Sequence, residues 1–452
     1  MRVSCQSCMG LMAVVGAAAP IAQGGASSNS DLQAEVAQLR AEVAQLKAGA
    51  GENWLTDQRA QEIRGLVEDV LADADTRSSL LQTGMTAGWD KHPFLASSDG
   101  NFKLEIQGQL QVRFVYANRD NSGDDDNRWG FENRRTKLKF AGHIVNPDWY
   151  YKVTGAFSKS SGDFGLEDAY IGYKMGNGWK LQMGQFKGPW LREELVSSSK
   201  QLAVERSLVN EEFSQGFQQG IQIAYQSDQF GFKAMYHDGL QSENSQWLVE
   251  DVEFAASARV EFLAAGDWKQ FGDFTSFRGN EFGALIGAAL TYELDEYGTG
   301  DPNAVDADGN PAPIPNNAEE TRWGLTVDCG LEFNGANLYG ALIYFNRDDD
   351  ASDARDQLAF VIQGGLFFTD DWEGFVRYEY GDYDTASVED LSLVTVGGNR
   401  YWAEHNLKWS TDLGYGLNEV ASPWSSGSTG WQHDALDQDG QIVFRTQMQL
   451  LF

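Results

Sequence analysis

Apolar and polar residues alternate one by one along most of this chain. Its closing stretch, QIVFRTQMQLLF, sets Ile442, Phe444, Met448, Leu450 and Phe452 against Arg445, Gln447 and Gln449. A strand points successive side chains to opposite faces, so one face here is oily and the other wet. TRWGLTVDCGLEF gives the cleanest case. Trp323, Leu325, Val327, Cys329, Leu331 and Phe333 share one face, and Arg322, Thr326, Asp328 and Glu332 the other. FKLEIQGQLQVRFVY repeats the pattern, while VEFAASARVEF and EFGALIGAALTYEL carry it more weakly. About 16 such segments follow residue 101, each long enough to cross a bilayer as a tilted strand. They begin near residues 102, 134, 149, 164, 178, 217, 229, 252, 281, 321, 336, 357, 371, 391, 403 and 441.

The connections alternate as well. VNPDW, MGNGW, QSDQF, FNGAN and FTDDW are short. ANRDNSGDDDNRWG, residues 187–216 and 295–320, RDDDASDARD and the Gly/Ser-rich stretch before Gln441 are long. Short turns at one end and long loops at the other are the habit of an outer-membrane barrel. GDWKQFGDFTSFRGN is too long for its place on the short side. Secreted sandwiches and propellers also alternate. Here, though, the polar face is rich in Gln, Lys, Arg and Glu along nearly every strand. Trp129, Trp149, Tyr150, Trp179, Trp323, Trp372 and Trp402 also gather near strand ends, where interface girdles form. The pattern therefore predicts an all-β membrane fold, a 16-stranded antiparallel transmembrane β-barrel over residues 101–452, with an N-terminal helical, coiled-coil extension.

That extension has a different rhythm. MRVSCQSCMGLMAVVGAAAPIAQGGASS has a basic start, a short apolar run and small residues, which reads as a signal peptide over residues 1–26. Cleavage removes Cys5 and Cys8, leaving Cys329 with no internal disulfide partner. In residues 27–50, AEVAQLR returns as AEVAQLK, and Leu32, Val36, Leu39, Val43 and Leu46 step by four and three. This is a short coiled-coil seam or, failing partners, a single surface helix. Residues 51–100 hold an amphipathic helix with Ile63, Leu66, Val67, Val70 and Leu71 on one stripe, then a turn-rich linker. Export would place this region in the periplasm of a diderm bacterium.

Composition adds constraints. The chain of 452 residues has 49 Gly, 9 Pro and 12% aromatics, as suits a sheet-rich barrel. A formal net charge of −32 argues against nucleic acid as a partner. The five histidines have no metal-ligand spacing, and no cofactor is expected. Acidic external loops could bind divalent cations; Asp306, Asp308 and Asn310 have a fragment of calcium-loop spacing without the distal Glu, and read first as a turn.

GNFKLEIQGQLQVRFVY, ENRRTKLKFAGHI, LEDAYIGYKM, LQMGQFKGPW and the terminal Phe452 resemble the phosphate-selective porin O/P family. TAGWDKHPFLASSDGNF and the helical N-terminal region look like the version in planctomycete-type outer-membrane porins. The resemblance implies a homotrimer in outer-membrane lipid whose third long loop enters the pore. It also implies that Phe452 serves as a signal to the outer-membrane assembly machinery.

Candidate chemistry concentrates in two places. The loop over residues 187–216 carries Trp190, Leu191, Leu195, Leu202, Val204, Leu208 and Phe213, anchors that a purely external lid would not need. Folded inward, it would present Arg192, Glu193, Glu194, Lys200, Glu205, Arg206, Glu211 and Glu212 at a constriction. Alternation also turns Arg113, Arg135, Lys137, Lys139, Lys152 and Lys180 into the lumen as a basic track. These bases either select anions or pair with loop acids and brace the loop. The expected function is passive ion transport and diffusion of small hydrophilic solutes, with an anion or phosphate preference and no enzymatic activity. The alternative is an anchor whose stalk tethers the membrane to the cell wall.

Overall fold

Each alternating segment forms a strand that hydrogen-bonds to its neighbours in sequence, and the last strand returns to the first of the barrel. The computed structural model describes residues 36–45, 61, 65, 84–121, 124–246, 252–297, 318–349, 352–436 and 438–452. Among these, a hairpin of β1 (Met85–Asp90) and β2 (His92–Ser97) precedes a closed barrel of sixteen antiparallel strands. The first half of the wall is β3 (Lys103–Asn121), β4 (Asp124–Ile144), β5 (Asn146–Phe157), β6 (Phe164–Gly176), β7 (Trp179–Lys187), β8 (Phe217–Gln226) and β9 (Phe230–His237). The second half is β10 (Val252–Ala265), β11 (Gly283–Tyr297), β12 (Ala318–Phe333), β13 (Ala336–Asp349), β14 (Ser352–Phe367), β15 (Trp372–Asp382), β16 (Leu391–Ala403), β17 (Leu407–Gly416) and β18 (Ile442–Leu451). Leu325, Val327, Leu342, Ile362, Val376 and Leu413 are exposed on the outer face, while Thr326, Asp328, Arg377 and Asp412 are buried inside. This is the inversion that lipid outside and polar contents inside demand.

The barrel closes at its C-terminus. Gly108 and Phe452 exchange backbone hydrogen bonds, N to O, of 2.6 and 3.1 Å. A Cβ at Gly108 would lie 2.2 Å from the Phe452 ring, so only glycine leaves the ring a seat. Below that point β2 takes over the free edge of β3, pairing Phe94 with Glu105 and Leu95 with Leu104. The stretch expected as a turn-rich linker is thus partly a hairpin that continues the wall. Two stretches expected as long loops are also largely strand. β3 and β4 stay paired out to Asn121 and Asp124, and β13 and β14 to Asp349 and Ser352.

Aromatics ring both ends. Trp149 stacks near Tyr173 at 4.6 Å and Trp179 near Tyr225 at 4.9 Å at the short-turn end, and Trp323 near Tyr344 at 5.0 Å at the other. Tyr150 departs from the girdle and turns inward, its ring over Gly172.

Residues 36–45 are helical, with Val36, Leu39 and Val43 exposed along one side. The signal-peptide segment lies outside the described residues, as do most of the second predicted helix and the Asp306–Asn310 turn.

Candidate functional site

Three connections fold into the lumen. The loop after β7 enters from the long-loop end, carrying a single helical turn (Arg192–Leu195) and a short helix (Leu208–Phe213). Residues 417–436, between β17 and β18, enter beside it, packing Val420, Trp424 and Trp431 in one cluster with Trp190, Leu208 and Phe213. The overlong turn between β10 and β11 enters from the opposite end and buries Phe271 and Phe274. The wall provides seats for the loop aromatics. Trp190 lies on Gly324, Trp424 on Gly381 and Trp431 on Gly414, and an added Cβ would come within 3.0 Å of the indole at each. All three tryptophans are about 1% exposed.

Charged wall residues then fix the backbone of the loop after β7. Asp412 accepts from Val204 N at 2.9 Å and Glu379 from Leu208 N at 2.6 Å. Arg377, Lys408 and Asn399 donate to the carbonyls of Glu205, Gln201 and Leu202, each at 2.9 Å. These wall charges also pair with one another: Arg445 with Asp412 and Arg259 with Asp328, both at 2.7 Å, and Arg377 with Glu379 at 2.8 Å. Pairing satisfies buried charges that would otherwise cost several kcal/mol each (roughly).

Glu205 is the strongest pin. Its carboxylate is fully buried and meets Arg113 at 2.6 Å, Arg134 at 2.7 Å and Arg135 at 2.8 Å. Burial alone would raise its pKa, but the three guanidinium groups hold it well below the usual carboxylate range. Glu194 behaves similarly. Burial opposes ionisation, yet Arg206 and Lys187 bring its pKa down to about 2.

The loop is held to the second half of the wall and, through Glu205, to β3 and β4, and it leaves a passage along β4 to β9. That passage, of about 420 Å³, is lined by Arg134, Arg135, Lys137, Lys139, Lys152, Lys187, Arg206 and Lys233 against Glu167, Asp168, Glu194 and Glu211. Lys137 pairs with Glu167 at 2.5 Å and Lys152 with Asp168 at 2.8 Å. Lys139 and Lys233 line it without an ion pair among the described residues.

The sequence candidates separate accordingly. Arg135, Lys137, Lys139, Lys152, Glu194, Arg206 and Glu211 reach the passage. Arg113, Glu193 and Glu205 are buried struts; Glu193 accepts from Ser207 N at 2.8 Å and from Ser207 Oγ at 2.5 Å. Arg192 is held near the rings of Phe271 and Phe274 at 5.6 and 5.7 Å, and bonds Phe271 O. The Lys200 carbonyl accepts from Phe274 N, and Lys180 lines a neighbouring smaller cavity. Glu212 sits in the field of Arg347 and Arg355, away from the passage.

Arg134, Glu167, Asp168 and Lys187 join the site without having been sequence candidates. Two β-bulges account for Arg134 and Glu167. Gln111 faces Arg135 and Val112 faces Asn133, leaving Arg134 extra; Thr154 faces Asp168 and Gly155 faces Leu166, leaving Glu167 extra. Each bulge lets two consecutive charges enter the lumen. The signal was the doublet itself. Strict alternation would send one of two adjacent charges into lipid, where Arg or Lys at the midplane costs about 2–4 kcal/mol.

A lipid-facing closed barrel narrowed by an inward loop over a charged passage defines a porin, a channel of the outer membrane. This chain belongs to the family described as phosphate-selective porin O and P, whose profile matches residues 104–413. It is 23% identical over 401 residues to an uncharacterised protein of Aquifex aeolicus (strain VF5), covering 80% of this chain and 88% of that one. Its fold resembles the anion-selective porin of Comamonas acidovorans, with a TM-score of 0.52 and 11% identity over 77% of this chain and 99% of that one. It also resembles OmpT of Vibrio cholerae in its trimer form, with a TM-score of 0.51 and 16% identity over 77% and 99%. At such identities the likeness concerns fold alone.

Proposed function

We propose that this porin passes small hydrophilic solutes with a preference for anions, phosphate among them, along the wall from β4 to β9. The observation that carries the reading is the lining of the passage, with eight basic side chains against four acidic ones. The chain's net charge of −32 is distributed elsewhere, and the field in a narrow low-dielectric passage is set by what lines it. The family's name and the anion selectivity of the Comamonas porin agree with this preference. The trimeric Vibrio relative and the exposed helical seam support a homotrimer with its N-terminal region in the periplasm. Phe452, seated on Gly108 at the closing seam, is placed to serve barrel assembly. Neither family nor fold adds support to a wall-tethering anchor. The deciding measurement is the reversal potential of the purified protein in planar bilayers under a potassium chloride gradient. The reading expects the sign of chloride preference; a potassium preference overturns it.

A further inference from the structure

Next to the main passage, toward the short-turn end, lies a second cavity of about 290 Å³. It shares Tyr170, Gln182 and Gln222 with the passage and adds Tyr150, Lys174 and Lys180. The backbone builds it by omission. Gly172 has no side chain, so the Tyr150 ring lies against the wall, 6.2 Å from the Tyr170 ring and nearly perpendicular to it. Gln182 and Gln222 stand directly opposite each other on β7 and β8.

Several lumen amides elsewhere are held by protein partners, although those of Gln357 and Gln363 are not. Gln111 bonds Gln449 at 2.7 Å, Gln218 bonds Gly239 O at 3.1 Å, and Gln449 bonds Ser199 O at 2.9 Å. By contrast, the amides of Gln182 and Gln222, the hydroxyls of Tyr150 and Tyr170, and the Lys180 ammonium have no hydrogen-bond or ion-pair partner among the described residues. Gln222 is in this state while only 9% exposed. Its amide opens onto the cavity beside the more exposed Gln182, Tyr150, Tyr170 and Lys180, so the cavity presents free donors and acceptors to whatever enters it.

We infer that this cavity is a subsite for a hydroxyl-bearing phosphate monoester, a sugar phosphate. The inference rests on the anion-preferring reading of the neighbouring passage. Two amides supply donors and acceptors together, which hydroxyl groups use and a bare phosphate does not need. Two phenol rings set at an angle offer flat faces to the C–H side of a sugar and hydroxyls to its rim. Lys180 supplies the charge for the phosphate. The volume lies at the small end of ligand cavities, about 300 Å³ upward, as fits a monosaccharide.

The test compares block of chloride current by glucose 6-phosphate, inorganic phosphate and glucose in single channels of the full-length protein. Glucose 6-phosphate should halve the current at a concentration about tenfold below that of inorganic phosphate, the effect of one or two added hydrogen bonds. Gln182→Met together with Gln222→Met should bring the two within about twofold; since both glutamines also border the passage, the readout is the ratio of the two blocking concentrations. Lys139→Gln should weaken both blockers alike. Equal block by the two phosphates in the native channel, or an advantage that survives the double substitution, overturns the subsite. The reversal potential, read on the same channels, judges the wall reading separately. If the channel prefers potassium, the subsite stands only where glucose blocks the native channel and the double substitution relieves it; it falls where glucose does neither.

Discussion

The two halves of the lumen wall carry similar residues and put them to different uses. From β10 to β18, Arg259, Arg377 and Arg445 each meet an acid on the wall and disappear beneath the folded loops. From β4 to β9, Lys139 and Lys233 face open space, and the four acids of the passage leave the basic side in excess. Charge alone therefore does not mark a filter. Partner density does. Where acids and bases are matched, the charges serve as struts; where bases outnumber acids beside a cavity, they set a field.

The sharpest way to break the comparison is to remove the pin that holds the two halves apart. Glu205→Gln leaves three guanidinium groups around a neutral amide. Breaking such a buried cluster costs about 3–5 kcal/mol, so the loop after β7 should detach. Single-channel conductance should become larger and noisier, and the loop should become cleavable by protease in folded barrels. An unchanged conductance with a resistant loop would show that the backbone bonds from Asp412, Glu379 and Arg377 suffice.

A smaller effect should follow from closing an indole seat. Gly414→Leu drives a side chain into the space of Trp431, where even a Cβ comes within 2.5 Å. Overpacking of this kind costs about 1–3 kcal/mol. Residues 417–436 should then loosen, read as protease sensitivity confined to that loop, while the loop after β7 stays protected.

How much of this is legible in the sequence depends on which physical rule each element obeys. Strands from Lys103 onward follow a period of two because lipid and water demand it, and nearly all of their starts lie within a few residues of where alternation sets them. The anchors Trp190, Leu202 and Phe213 announce an inward loop because so much apolar surface is otherwise left in water. What alternation hides are its own exceptions, the bulges at Arg134 and Glu167. The seats are hidden for another reason: Gly324, Gly381 and Gly414 matter only through tryptophans distant in sequence. The overlong turn holding Phe271 and Phe274 is visible as an anomaly, but its partner Arg192 lies on another loop. The hairpin at Met85–Ser97 escapes a sequence reading because its pairing edge exists only once β18 ends at Phe452.

The comparison is sharpened by one substitution on each side. Lys139→Gln should move the reversal potential toward potassium without changing thermal stability, since the side chain braces nothing. Arg445→Gln should do the reverse. It strips the partner from buried Asp412 and lowers the unfolding temperature, while selectivity shifts little because the charge never faces the passage. Equal selectivity shifts from both would erase the distinction between strut and filter.

The smallest expected effect is a pH dependence at the loop itself. Burial pushes the Glu212 carboxyl up to about 7, against the opposing pull of Arg347 and Arg355. A carboxyl with a raised pKa is neutral below that value and becomes an anion above it. As pH rises from about 6 to about 8, one negative charge per chain therefore appears on the short helix, on the side facing the β13 and β14 arginines. It lies away from the Lys139 wall and partly neutralises those arginines, so anion preference should decline modestly while conductance stays nearly constant. Glu212→Gln should flatten that slope and hold the channel at its low-pH selectivity. A slope that persists in this variant would assign the titration to another group, with Glu211, also raised by burial and by nearby Glu205, next in line because it borders the passage.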